Sequence, residues 1–193
     1  MSKATGPKYV VQFRRRRSNI TNYKKRLALV KSNLVRIVIR KTSKNILIQF
    51  IQFSEKGDKT LISTRSTELN KYNWHATNNT PTAYLTGLLA GNKALRAGIK
   101  EAILDIGLHA PSKGSCVFSG LKGIIDSGVK SNAGEGLFSE ERIKGIHITK
   151  YAESIKNTDK YNSVFASYLK KGIKPEELTV LFEKTKGTIK AGA

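Results

Sequence analysis

Acidic residues are missing from the first quarter of the chain. Residues 1–54 contain no Asp or Glu, and residues 1–44 contain fourteen Lys and Arg, including the unbroken run Arg14–Arg17. The whole chain of 193 residues carries 35 Lys and Arg against 14 Asp and Glu, a formal net charge of +21. A merely solvated face or a nuclear-import signal explains this block poorly, because ordinary surfaces intersperse both signs. We expect a polyanionic partner, and nucleic acid is favoured because each neutralised phosphate releases a condensed counterion.

Cysteine and histidine are also scarce. Cys116 is the only cysteine, which excludes an internal disulfide or a cysteine-based metal site and fits a reducing compartment. We expect Cys116 to be a small, partly buried apolar residue. The three histidines, His75, His109 and His147, do not stand at metal-ligand spacing, so they are expected to be ordinary loop or surface residues.

The motifs of catalysis are missing as well. There is no phosphate-binding loop, and the glycines around residue 135 lack the third glycine and the preceding strand of a dinucleotide site. A nuclease, the main alternative from another class, would need several acids that converge from neighbouring strands, and Asp105 stands alone. We therefore predict no catalytic residue, no metal, no cofactor and no small-molecule substrate.

Long apolar runs are absent too. No stretch approaches the roughly 20 apolar residues that span a bilayer, and the N-terminus lacks the apolar core of a signal peptide. A basic adaptor on an anionic membrane is a third possibility, but Tyr23, Leu27 and Val30 make too narrow an apolar stripe for it. We expect a cytoplasmic protein without a membrane partner.

Hydrophobic periodicity predicts how the first half folds. Residues 1–19 are predicted to be an extended basic arm, followed by a helix from a cap at Thr21 or Asn22 to about Lys31. Residues 34–40 alternate as a half-buried strand does, with one face offering Arg36 and Arg40. Residues 45–53 are apolar on both faces, as a central strand would be, and residues 60–66 complete an antiparallel meander.

The second half is predicted to add a strand and several helices. Thr80 should cap a helix to about residue 97, whose Gly87 and Gly91 would let it lie close on the sheet. A strand at 102–106, a helix at 117–127, a loop at 129–138 and a helical remainder follow, with the last helix opening at Pro175 and running through Phe182. The expected fold is α/β, a mixed sheet flanked by helices. The expected division is 1–19 arm, 20–128 α/β core and 129–193 helical extension packed on the core.

Several cations are candidate RNA-binding residues. Guanidinium groups can bind phosphates and bases in a bidentate manner, and the lysines would extend the track along the first helix and past the first strand. Trp74 has two readings of equal weight, stacking on a base or covering the edge of the core. The candidates that follow from charge are Arg14, Arg15, Arg16, Arg17, Lys24, Lys25, Arg26, Arg40, Lys41 and Lys44.

Charge alone does not choose RNA over DNA, but three long motifs do. GPKYVVQFRRRR at residues 6–17, NTPTAYLTGLLAG at 79–91 and DIGLH at 105–109 occur in the order of a known family. The chain closely resembles large ribosomal subunit protein eighteen in its archaeal form, and ERIKG at 141–145 and FASYL at 165–169 extend the likeness over nearly the whole chain.

The resemblance implies a non-enzymatic protein that binds 5S rRNA and helps seat it on the large-subunit rRNA in the central protuberance, beside other ribosomal proteins. In the family the basic N-terminal segment enters the RNA. That role maps onto Lys8, Tyr9 and Phe13, onto the four arginines that follow, and onto the basic helix after them.

Overall fold

The sheet has four strands in the order β3-β2-β1-β4. The computed structural model describes residues 6–7, 9–134, 136–158 and 160–192. β1 pairs antiparallel with β2 and β2 with β3, while β4 joins the other side of β1 in parallel. The predicted mixed α/β fold, a three-stranded meander with one further strand, is confirmed. The strands are β1 (Val35–Lys41), β2 (Ile46–Gln52), β3 (Lys59–Arg65) and β4 (Ala102–Asp105).

Helices surround this sheet and make up most of the C-terminal half. Two short 3-10 helices, Ser66–Tyr72 and Pro175–Glu177, join the longer elements. The predicted last helix, opening at Pro175 and running through Phe182, consists of the 3-10 helix Pro175–Glu177 and a following α-helix that extends to Ala191. The α-helices are α1 (Arg14–Arg17), α2 (Tyr23–Val30), α3 (Thr80–Arg96), α4 (Cys116–Asp126), α5 (Glu140–Lys144), α6 (Ile146–Ile155), α7 (Lys160–Val164), α8 (Ala166–Leu169) and α9 (Leu178–Ala191).

The centre of one face of the sheet is buried under α3 and α4. Ile37 and Ile39 of β1 and Ile48 and Phe50 of β2 are at most 1% exposed and form the centre of this core. β2 is an inner strand of the sheet, as predicted, and the residues of its opposite face, such as Gln49, are half-buried. In β1 the residues of this opposite face, Arg36 and Val38, are buried as well.

The start of α3 differs from the prediction by one residue. The N-cap is Asn79, whose side-chain oxygen accepts a hydrogen bond from the Thr82 backbone N–H at 3.0 Å. Thr80 is the first residue of the helix rather than its cap, and Pro81 lies in the first turn, where its missing N–H costs nothing. The end is as predicted, since the helix stops at Arg96 and Gly98 follows with a φ of +79°.

The glycines of α3 face another helix rather than the sheet. A Cβ on Gly87 would lie 2.0 Å from the carbonyl oxygen of Gly120 in α4, and a Cβ on Gly91 would lie 2.0 Å from Oγ of Ser127. The prediction that these two residues allow contact with the sheet is therefore wrong. Their lack of a side chain instead allows the backbones of α3 and α4 to touch.

Trp74 belongs to a second core between α3 and the C-terminal helices. It is 1% exposed, its indole N–H donates to Oγ1 of Thr82 at 2.9 Å, and its ring meets Phe182 edge-on at 6.2 Å. Tyr84 and Leu178 belong to the same core. Of the two readings of Trp74, the structure supports the core residue, because a fully buried indole has no face to offer a base.

Candidate nucleic-acid interface

The four consecutive arginines form α1, a single helical turn in the region predicted as an extended arm. All four are exposed, and in the part of the chain that the structure describes none of them pairs with an acid. Within the described ranges, one side chain of this turn makes a hydrogen bond to another side chain: Nε of Arg15 donates to Oγ1 of Thr21 at 2.9 Å. Four guanidinium groups are thus presented together to solvent.

The aromatic residues before the arginines are exposed too. Tyr9 is 53% and Phe13 70% exposed, and the Phe13 ring lies 5.0 Å from that of Tyr23, which links the arm to α2. Both rings keep faces that could stack on unpaired bases. Lys8, the other candidate in this segment, lies outside the described residues.

The basic helix α2 is capped as predicted but packs loosely. Oδ1 of Asn22 accepts from the Lys25 N–H at 3.1 Å, which satisfies one free donor of the first turn. None of the eight residues of α2 is buried, and Leu27, predicted to lie on its apolar stripe, is 57% exposed. Lys24 and Lys25 are exposed.

A chain of ion pairs joins α2 to the sheet; we call it the arginine–aspartate network. Oδ2 of Asp58 lies 2.9 Å from Nη2 of Arg26 and 2.6 Å from Nη2 of Arg36. Nη1 of Arg36 also lies 3.1 Å from Oδ2 of Asp105, and Nη2 of Arg40 lies 3.2 Å from Oδ1 of Asp105. The prediction that Arg36 faces solvent is wrong: its side chain is only 5% exposed, because Asp58 and Asp105 both pair with its guanidinium group.

Arg40 is held more tightly than an ordinary surface arginine. Its Nη1 donates to the carbonyl oxygens of Asp105 at 2.8 Å and Ile39 at 2.9 Å. Gly107, at a φ of +63°, makes space for this guanidinium group, since a Cβ at that position would lie 2.9 Å from Nη2 of Arg40. With a side chain 37% exposed, Arg40 keeps part of its guanidinium open to a ligand.

A cationic cavity of about 570 Å³ lies between α2 and the outer face of β1. Its charged lining has five cations and two acids, so the excess is positive, and its walls also include apolar residues such as Leu29 and Val38. An anionic group fits this lining better than a neutral one. The charged lining residues are Arg15, Lys25, Arg26, Arg36, Arg40, Asp58 and Asp105.

The basic turn after β1 adds two exposed cations. Lys41 and Lys44 are exposed, while Thr42 is fixed by hydrogen bonds to Asn45 and its carbonyl oxygen accepts from Nδ2 of Asn78 at 2.6 Å. The turn therefore has a braced backbone and free ammonium groups. The exposed cations among the described candidates thus lie on α1, on α2 and in this turn.

Sequence reasoning missed the acids that organise this surface. The local sequence predicts no role for Asp58, and it suggests Asp105 only as an isolated candidate nuclease acid. The role of Asp105 depends on the parallel pairing of β4 with β1, in which it stands opposite Val38, and that of Asp58 on the β2–β3 hairpin, whose turn reaches Arg36. No local sequence pattern predicts these contacts. The presence of two arginines in one strand is the available signal, because a buried arginine needs an acidic or polar partner.

Other chemistries find no support at this surface. Within the described ranges, no group of three His, Cys, Asp or Glu side chains could hold a metal ion. Burial, and then the ammonium of Lys171, lowers the pKa of His75, whose ring packs edge-on against Tyr168 at 5.0 Å. Among the residues described, no helix has both the length and the apolar character that a membrane crossing requires.

A mixed α/β core with an exposed cationic arm is typical of a structural nucleic-acid-binding protein. The family model for ribosomal large subunit proteins 60S L5 and 50S L18 matches residues 7–102. The chain is 45% identical over 193 residues to large ribosomal subunit protein uL18 of Sulfurisphaera tokodaii, covering 98% of each chain. The uL18 proteins of Saccharolobus islandicus (45%; 97% of this chain, 98% of the relative) and Saccharolobus solfataricus (46%; 97% and 96%) are similar over 192 residues.

The chain belongs to the uL18 family of large ribosomal subunit proteins. It is therefore a structural constituent of the large subunit rather than an enzyme, and its partners are ribosomal RNA and ribosomal proteins. The predicted family is confirmed. The individual RNA contacts predicted from the sequence stay predictions.

Proposed function

We propose that the chain binds 5S rRNA and helps attach it to the large-subunit rRNA in the central protuberance. The observation that carries the proposal is the exposed arginine turn α1, which has no acidic partner among the described residues and lies beside a cationic cavity. Guanidinium groups bind phosphate oxygens in a bidentate manner, and such charge-assisted bonds are stronger than neutral ones. Membership of a ribosomal family makes RNA the polyanion in question.

We also propose a division of labour within the chain. Residues 1–19 act as the RNA-binding arm, residues 20–128 as the α/β core and residues 129–193 as a helical extension on that core. Lys24, Lys25 and Arg26 carry the surface from the arm onto α2, and Lys41 and Lys44 carry it past β1. The exposed rings of Tyr9 and Phe13 provide stacking surfaces for unpaired bases.

The binding of 5S rRNA is expected to depend steeply on salt. If about six phosphates are neutralised, the affinity should fall roughly a thousandfold between 50 and 200 mM monovalent salt, because released counterions favour binding less as the salt rises. A filter-binding titration at four salt concentrations measures this slope. A dissociation constant that hardly moves over that range would mean that apolar contacts rather than phosphates carry the binding.

A further inference from the structure

The helix α2 lacks the usual means of staying in place. It has eight residues, none of them buried, and helices this short are not stable alone in water. Leu29 and Val30 are half-buried, and Leu27 points largely to solvent. Among the described residues, one ion pair ties this helix to the rest of the fold, and it joins Arg26 to Asp58.

Asp58 is well placed to fix that helix. It lies just before β3, in the turn that closes the β2–β3 hairpin, and its Oδ2 is shared between Arg26 and Arg36. Arg36 in turn is buried on β1 and bound to Asp105 of β4, so Asp58 is anchored through Arg36 to the inner strand β1 and the edge strand β4. A rigid acid therefore holds one cation of an otherwise loosely packed helix.

We propose that Asp58 is a positioning residue for RNA binding: by holding Arg26 it presents α2 and the adjoining α1 to the RNA in one arrangement. The proposal rests on the proposed function and names a residue that serves it. An RNA-binding surface normally gains nothing from an acid, because a carboxylate repels phosphate. Here the carboxylate orders the cations before the RNA arrives, so less conformational freedom is lost on binding.

This proposal predicts a change of sign that charge alone cannot produce. In a chain of net charge +21, removing an acid near the RNA surface should tighten binding, and freeing Arg26 from its partner should tighten it further. If Asp58 positions α2, removing its charge should weaken binding instead. The two accounts therefore differ in direction and not only in magnitude.

The test compares D58N with E55Q in the full chain. Glu55 lies in the same turn, is exposed and, among the residues described, has no ion-pair partner, so E55Q removes the same charge without touching the network. We expect E55Q to bind 5S rRNA as tightly as the unmodified chain or slightly more tightly. D58N should bind about tenfold more weakly, which is the scale of ordering one or two side chains.

The conservative variant D58E separates positioning from folding. It keeps the negative charge and can still reach Arg26, so it should recover most of the affinity lost in D58N. Thermal unfolding of each variant shows that the chain is folded. If D58N fails to fold, D58E against E55Q still decides the matter: the longer tether should leave D58E with a small residual loss of affinity that E55Q lacks, and D58E binding as tightly as E55Q would overturn the positioning role.

Hydrogen exchange of the RNA-free proteins measures directly whether the Arg26–Asp58 ion pair holds α2 in place. In D58N the amides of α2 should exchange faster than in the unmodified chain, while those of β1 and β2 keep their protection and E55Q changes neither. D58N binding as tightly as E55Q, or α2 exchanging at its original rate, would overturn the positioning role. A chain that shows no preference for 5S rRNA in the first place overturns the proposed function instead, and the exchange data are independent of that result.

Discussion

Replacing Arg14, Arg15, Arg16 and Arg17 together with alanine is expected to weaken 5S rRNA binding by roughly a hundredfold or more at moderate salt. The four guanidinium groups are exposed and, in the described part of the chain, unpaired with acids, so their charge is free for phosphates. The slope of log affinity against log salt should fall by about three to four, because each phosphate contact contributes about 0.9 in duplex RNA or DNA. Titration of the variant over the same salt range gives both quantities.

The stability of the folded chain should hardly change. No residue of α1 is buried, and Arg15 makes one exposed hydrogen bond, to Thr21, so the midpoint of thermal unfolding should stay nearly constant. A matched control removes four exposed lysines of the C-terminal half in the variant K170A/K171A/K184A/K190A. The control should bind far better than the arginine variant; equal losses would mean that net charge and not the arm carries the affinity. A large loss of stability would show that the arginines pack.

Substitution of Gly87 by alanine should cause the largest loss of stability. The new Cβ would lie 2.0 Å from the carbonyl oxygen of Gly120 and 2.9 Å from its carbonyl carbon, both of them backbone atoms of α4. Neither atom can move aside as the end of a flexible side chain would, so α3 and α4 must separate. Overpacking of this kind costs about 3 kcal/mol, which lowers the midpoint of thermal unfolding by roughly 6–12 °C in a chain of this size.

Gly187 provides the control for this effect, since it is an exposed glycine inside α9 with no atom within 4 Å of its Cβ position. G187A should stabilise the chain by about 0.5–1 kcal/mol, because alanine loses less backbone freedom in a helix than glycine does. Thermal or denaturant unfolding of both variants measures the difference. A G87A chain as stable as G187A would contradict the close approach of the two helices.

Much of the fold was predictable because its signals are local. The alternation along β1, the proline and glycine that bound α3, and the amphipathic α4 each follow from neighbouring residues, and all three elements were confirmed. The error at Asn79 is of another kind, since two adjacent residues could both cap a helix and only the backbone decides between them. Periodicity also shows which face of an element is apolar but not which neighbour covers it, and therefore the partner of Gly87 was missed.

The candidate site divides in the same way. The absence of acids before Glu55 made the cationic arm visible from the sequence, and the family motifs chose RNA. The arginine–aspartate network was not visible, because Asp58 and Asp105 approach Arg36 only through the order of the strands. Burial of Arg36 depends on both acids at once, which no single stretch of sequence contains.

The most direct test of the central claim is a gel-shift titration of the purified chain against 5S rRNA at moderate salt, with excess tRNA as competitor. Binding through a preorganised surface that fits 5S rRNA predicts a complex that survives a large excess of tRNA, because tRNA offers similar phosphates in a different shape. Displacement by tRNA at the same concentration as by unlabelled 5S rRNA would contradict specific recognition by this chain and leave only the attraction of its positive charge.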